Sequence, residues 1–394
     1  MILIMKCDLI VRSPTDWDEG IYLYLSEHMG WTLGQYSVAG SAFESSLAAN
    51  VYSSPVFYHP PLIPFAIKCL SLVWPPVVAA KILNLALVFV SYVLLYRIAL
   101  ALSDARAALI TLALWTVCPL FNMESSLIHL DFPMTVLMLA GIWAFLSRGQ
   151  EPGGGRMLLL SALAFDLAML TKYTSPLYVL VPLFLAASDP RLLRDKRATT
   201  FYLAMLIPGF AWWLYVAVRF GTLLPAVFLG NKPGAPLSPF MQTVSARTWY
   251  DIWFYYAGMC PLFLMYLWVV ASWLVSGRPA WLESAEGDRG AASLVALNAS
   301  VILCTVLFSV INSMSNGIWM LRHVLPLFPV IYITLGHVIS RLMARRDPGV
   351  NAWLATGLLF NLAVMSFSTM LNLTGIRAIP ALFFWIPGLR DWFH

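Results

Sequence analysis

The chain has 394 residues, of which 60% are apolar and only 11% charged. A water-soluble domain carries roughly 25% charged residues, so this composition excludes one and places the chain in lipid. The net charge of +5 is small and spread over loops, with no basic stripe interleaved with aromatics, which fits membrane orientation and argues against a nucleic-acid partner.

Residues 1–11 offer only Met1-Ile2-Leu3-Ile4-Met5 as an apolar run, too short to cross a bilayer or to form the core of a signal peptide. Asp16-Trp17-Asp18-Glu19 follows, and then Ile21, Tyr22, Leu23, Tyr24 and Leu25, which read as the start of a helix lying along the membrane surface. The free N–H groups of such a start favour acids by up to about 1 kcal/mol, so Asp16 and Asp18 can serve as caps. The sharper reading makes Asp18 a general base that takes a proton from an incoming hydroxyl. Asp16-Trp17-Asp18 also matches D-x-D, and carboxylates suit Mg or Mn. Three-residue matches are common, so a divalent cation on Asp16, Asp18 and His59 is left open.

Tyr58-His59-Pro60-Pro61 closes this first loop, which spans 12–75. The two prolines pre-organise a helix start at which anions are welcome, and His59 supplies a donor or acceptor near neutral pH. The competing view is an interfacial histidine bonded to backbone. Residues 62–74 are hemmed in by Pro60, Pro61, Pro64, Pro75 and Pro76, and they predict a juxtamembrane helix that need not cross.

About ten apolar segments then follow: 77–101, 107–122, 132–147, 157–171, 174–188, 199–218, 252–275, 293–312, 322–341 and 351–373. Arginines at 97 and 106, 148 and 156, 191 to 197, 278 and 289, and 341 to 346 fall in alternate connections, which assigns those to the cytoplasm. Residues 1–60, 122–131, the break around Lys172, the loop 219–250 and the turn 312–322 consequently face outward. The expected fold class is an all-α polytopic transmembrane bundle, one integral domain over 1–394. The five cysteines lack C-x-x-C spacing, so neither a disulfide framework nor a zinc site is indicated.

Three outward positions carry further charge. Asp131, in His129-Leu130-Asp131, precedes Phe132-Pro133 and is either an N-cap or a site acid. Lys172 stands at a helix break, where it either snorkels to the interface or offers a point charge to a phosphate. Arg322, beside His323, poses the same choice, with the added ability to grip a phosphate bidentately.

Taken in order, these residues resemble the integral membrane C-type glycosyltransferases, in the protein O-mannosyltransferase and aminoarabinose lipid A transferase branch. The resemblance runs from about Pro14 to Phe328 and is strongest before residue 190. Asp18-Glu19 with Tyr22 is similar to that branch's acidic pair in the first outer loop, and Tyr58-His59-Pro60-Pro61-Leu62 to the pattern that ends the loop. Asp131 matches the acid of the second outer loop, Leu170-Thr171-Lys172 a helix break whose lysine attends the lipid phosphate, and Arg322 through Pro326 with Pro329 a late arginine-plus-proline helix. The family's first transmembrane helix is expected to be missing, as is the C-terminal soluble domain of some relatives.

The resemblance implies an inverting hexosyl- or pentosyltransferase, multi-pass in the plasma membrane, with its active site extracytoplasmic. It would move a sugar from a polyprenyl- or dolichyl-phosphate carrier to a hydroxyl of a protein, lipid or glycan. Asp18, Glu19 and Asp131 are the expected catalytic group, and Tyr22, Tyr58, His59, Lys172 and Arg322 the substrate-binding one. Two rivals stand beside it. One is a transporter or flippase of lipid-linked substrates, for which Lys81 and Asp166 are the mid-span candidates; the other is an inactive, truncated relative.

Overall fold

The computed structural model describes residues 10–11, 17–31, 35–38, 40–41, 59–148, 155–172, 174–220, 262–276, 288–314, 321–344 and 348–373. All regular structure among them is helical. Helix α1 (Trp17–His28) carries Asp18 and Glu19 in its first turn, and α2 (Leu62–Leu70) is the short helix expected after the proline pair.

Helix α3 (Pro76–Leu102) opens with Pro76 in its first turn, where a missing N–H costs nothing. Ala80, Asn84, Val88, Ser91, Leu95, Ile98 and Leu102 recur at steps of three and four and are buried, whereas Ile82, Phe89, Val90, Val93 and Leu100 on the other face are exposed. A helix apolar all round, with one stripe in protein and the rest open, is the pattern of a lipid-facing span. The stretches Pro76–Leu102, Gly290–Ser309 and His323–Ala344 are each long and apolar enough to cross a bilayer.

The single span expected over 107–122 is instead two helices, α4 (Ala105–Thr116) and α5 (Pro119–Ser126), bent by 61° at the break. Pro119 cannot supply the N–H that would continue the ladder. Asn122 Nδ2 satisfies the carbonyls freed there, donating to Thr116 O and Cys118 O at 2.9 Å each. The bent pair makes a fourth candidate span. It also shortens the outward segment expected over 122–131 to residues 127–130.

Helices α6 (Asp131–Ser147) and α7 (Gly155–Met169) pack closely, because Gly141 leaves room for the Phe165 ring and its carbonyl accepts from Ser161 Oγ at 2.9 Å. A 3₁₀ turn (Ser175–Val179) leads into α8 (Leu180–Ala187), then α9 (Pro190–Arg194) and α10 (Lys196–Met205). The segment expected at 199–218 is broken by a second 3₁₀ turn at Pro208–Phe210 before α11 (Ala211–Phe220). Asp166 is buried and accepts from Gly209 N at 3.2 Å, which ties α7 to that turn. This pinning is a structural use for the acid that the transporter reading would have placed in a conduction path.

Helices α12 (Phe263–Ser276), α13 (Asp288–Met314), α14 (Phe328–Ala344) and α15 (Pro348–Leu373) complete the bundle, with a 3₁₀ segment, Leu321–Leu327, feeding α14. Every residue of α14 from Phe328 to Ser340 is buried, so this helix is the axis of the bundle. It lies against α4 through Gly336, where a methyl group would sit 2.4 Å from Thr111 Oγ1 and 2.7 Å from Ala107 O.

Apolar packing forms two bodies. The larger fills the bundle around Trp115, Phe121, Phe132 and Tyr332. The smaller joins α1, α2, the start of α3 and the 128–130 segment through Tyr22, Leu25, Tyr36, Ile67, Ile128 and Trp212. Lys68 Nζ fastens α2 to α1 by donating to Met29 O, and Tyr36 OH donates to Pro60 O at 3.4 Å. Burial pushes the Tyr36 phenol well above its ordinary value, so it stays a neutral donor.

Candidate active site

Asp131 is the first residue of α6, but its carboxylate does not cap that helix. It turns inward, fully buried, to accept from Lys172 Nζ through Oδ2, while Oδ1 lies 3.0 Å from His323 Nδ1. Lys172 Nζ and His323 Nδ1 are 2.6 Å apart, and both side chains are 2% exposed. The capping account of Asp131 and the snorkelling account of Lys172 both fail. A helix start, a helix break and a 3₁₀ segment, distant in sequence, instead deliver one carboxylate, one amine and one imidazole to a single buried point.

The lysine ammonium has three hydrogens and can donate to Asp131 Oδ2 and to an unprotonated His323 Nδ1 together; when Nδ1 carries the proton, it donates to Asp131 Oδ1 while the ammonium keeps Oδ2. Asp131 thus has two neighbours able to hold it, so an anion that draws off Lys172 would still leave it beside His323. Tyr178 OH donates to His323 O and holds the 3₁₀ segment in place.

Around this point the connecting segments interlock. Glu19, 1% exposed, uses Oε1 to accept from Ile128 N at 2.7 Å, so the first acidic loop docks onto the second just ahead of Asp131. Asn84 Nδ2 donates to Leu127 O at 2.5 Å and Ser125 O at 3.3 Å, and His129 Nδ1 meets Glu124 Oε2 at 2.8 Å. Asp18 is half-buried in the first turn of α1. His59 is buried and meets the Tyr22 ring edge-on, with centroids 5.9 Å apart, so two of the expected binding residues do come together.

Asp16, Tyr58, the Arg322 side chain and most of the loop 219–250 lie outside the described residues. Among the described residues no group of three or more His, Cys, Asp or Glu gathers to hold a metal ion. The site residues that sequence reasoning passed over are His323, Asn84, Tyr178 and the Glu124–His129 pair. An ionisable residue inside an apolar helix is a functional signal in its own right, and that was the available clue to His323.

The class that this fold and site define is an all-helical, polytopic integral membrane chain with a buried ion cluster at one end of the bundle. Residues 58–215 match the model of the family described as dolichyl-phosphate-mannose-protein mannosyltransferase, a stretch that contains His59, Asp131 and Lys172. No curated protein matches the chain by sequence. Among solved structures, ArnT from Cupriavidus metallidurans in the apo state shares the fold with a TM-score of 0.54 at 18% identity, over 88% of this chain and 60% of that one. The same protein bound to undecaprenyl phosphate gives 0.53 at 15% identity, over 96% and 72%. This chain thus spans about 60% of the apo ArnT chain. The family match and the shared fold together bear out the resemblance to the integral membrane C-type glycosyltransferases.

Proposed function

We propose that this chain is an inverting membrane glycosyltransferase that moves a sugar from a polyprenyl- or dolichyl-phosphate carrier to a hydroxyl acceptor on the extracytoplasmic face. The observation that carries the reading is the buried Asp131, Lys172 and His323 cluster, two of whose members lie inside the stretch matched to the mannosyltransferase family. ArnT binding undecaprenyl phosphate within the same fold supports a lipid phosphate as the carrier.

In this mechanism the acceptor oxygen attacks the anomeric carbon and forms the new glycosidic bond. Asp18 takes the acceptor proton as the O–H bond breaks. The bond from the anomeric carbon to the phosphate oxygen breaks in the same step, and its electron pair leaves on the lipid phosphate. Lys172, with Arg322 and His59, stabilises that charge. Once Lys172 turns to the phosphate, His323 holds the Asp131 carboxylate that the lysine has left. Glu19, expected among the catalytic acids, is better read as a positioning residue, since Ile128 N–H already occupies its Oε1. Tyr22 and Tyr58 are assigned to substrate binding in this reading.

The test is incubation of the purified protein in detergent with labelled polyprenyl-phosphate sugars and a panel of hydroxyl acceptors. Transfer is expected from the wild-type protein, and Asp18→Asn should lower it about 100- to 10,000-fold, the usual range for a lost general base. A folded Asp18→Asn protein with full activity would remove Asp18 from the role.

A further inference from the structure

At the far end of α6 from Asp131 the chain builds a second charged feature. Arg191, Arg194, Lys196 and Arg197 are all exposed and, with Asp195, line a shallow, widely open surface recess where α9 meets α10. The nearby acids are committed elsewhere. Asp195 Oδ1 accepts from Arg197 N and Ala198 N at 3.0 and 3.1 Å, capping α10, while Asp189 pairs with Arg148 and accepts from Arg191 N at 2.9 Å. Among the described residues none of the four cations forms an ion pair.

Position decides what such a recess can meet. Arg148 follows α6 directly, and a 17-residue helix is about 25 Å long, close to the thickness of a bilayer's hydrocarbon core. The recess is therefore on the membrane face opposite the Asp131 cluster. Leu183 on α8, Leu193 on α9, and Phe201 and Leu203 on α10 are exposed apolar side chains beside it, with Leu193 51% exposed. Four cations at the boundary between such a surface and water sit at headgroup depth. Loops with excess Lys and Arg orient a chain without binding anything. Here, however, four exposed cations within seven residues share one shallow surface, and guanidinium groups can grip a phosphate bidentately.

We propose that this recess binds the headgroup of an anionic phospholipid, with Arg191, Arg194, Lys196 and Arg197 contacting its phosphate. The inference is independent of the proposed catalytic reading, because its ligand, its face and its residues are all different.

The test is lipid retention by the purified full-length chain, titrated at low salt with phosphatidylglycerol against phosphatidylcholine and read by mass spectrometry of the intact protein. The wild-type protein should prefer phosphatidylglycerol by roughly tenfold, in keeping with the attraction of clustered basic residues for anionic lipid. The Arg191→Gln/Arg194→Gln/Lys196→Gln/Arg197→Gln variant should fall to parity. Arg97→Gln/Arg106→Gln, which removes two exposed cations from outside the recess, should keep the preference. Should the fourfold variant fail to fold, Arg194→Gln/Arg197→Gln gives the same comparison with a smaller loss. Equal retention of the two lipids by the wild-type protein, an undiminished preference in the recess variant, or an equal loss in the control pair would each overturn the proposal.

Discussion

Two polar clusters lie at opposite ends of the α14 axis, one fully and the other partly buried, and their chemistry differs. At one end Asp104 caps α4 by accepting from Ala107 N at 2.8 Å, and Ser340 Oγ donates to its two oxygens at 2.9 and 3.0 Å. His337 Nδ1 meets Ser103 Oγ at 2.9 Å beside it. At the other end Asp131 faces an ammonium and an imidazole, all three side chains buried. The first cluster holds its carboxylate with mostly neutral donors and fastens helices. The second gathers charged groups of the kind that another anion can claim, and that difference makes it the candidate site.

The largest effect should come from separating the charges at the site end. Lys172→Met leaves the buried Asp131 carboxylate with His323 alone beside it, and Asp131→Asn strands the lysine; removing one partner of a buried pair costs about 3–5 kcal/mol in comparable cases. Asp131→Asn/Lys172→Met should recover most of that stability in thermal unfolding while transfer stays abolished.

A middle-sized effect belongs to the helix that joins the two ends. Gly336→Ala puts a methyl against Thr111 and the Ala107 carbonyl, and overpacking of this kind costs about 1–3 kcal/mol. Its melting temperature should fall with no change in KM for the lipid-linked donor, provided the site end is independent of the axis.

The smallest effect is at the structural end. Asp104→Ala removes a cap worth about 1 kcal/mol and should leave transfer unchanged. Burial pushes the Asp104 carboxyl up, but the Ala107 N–H, the Ser340 hydroxyl and the Arg341 charge outweigh it and hold the group below its ordinary value of 3.8. The stabilisation it gives is therefore present above that value and lost as the pH falls through the lower, folded one. The melting difference between wild-type and Asp104→Ala protein should accordingly be full at neutral pH and shrink in acid below pH 4 or so.

Much of this architecture could be read in the sequence, because lipid demands long apolar segments and the expected ones are largely helical where the structure describes them, with breaks inside 107–122 and 199–218. Pro119 and Pro208 lie inside segments that read as single spans. The breaks there are not legible in the sequence, since a bend of 61° repaired by Asn122 depends on how the neighbouring helices pack. At the site, Asp131 and Lys172 stood out singly, yet each had an adequate local explanation as a cap or a snorkelling cation. Their pairing joins positions 41 residues apart, and no periodicity encodes it. His323, 192 residues from Asp131, was overshadowed by the neighbouring Arg322. Glu19 was grouped with Asp18 for its charge, whereas its bond to Ile128 exists only once two loops have met.

The most direct measurement is sugar transfer from labelled polyprenyl-phosphate donors by wild-type and Asp131→Asn/Lys172→Met proteins, both shown folded by thermal unfolding in the same detergent. The account predicts turnover by the wild-type protein and none above background by the double variant. Equal turnover by the two proteins would contradict it.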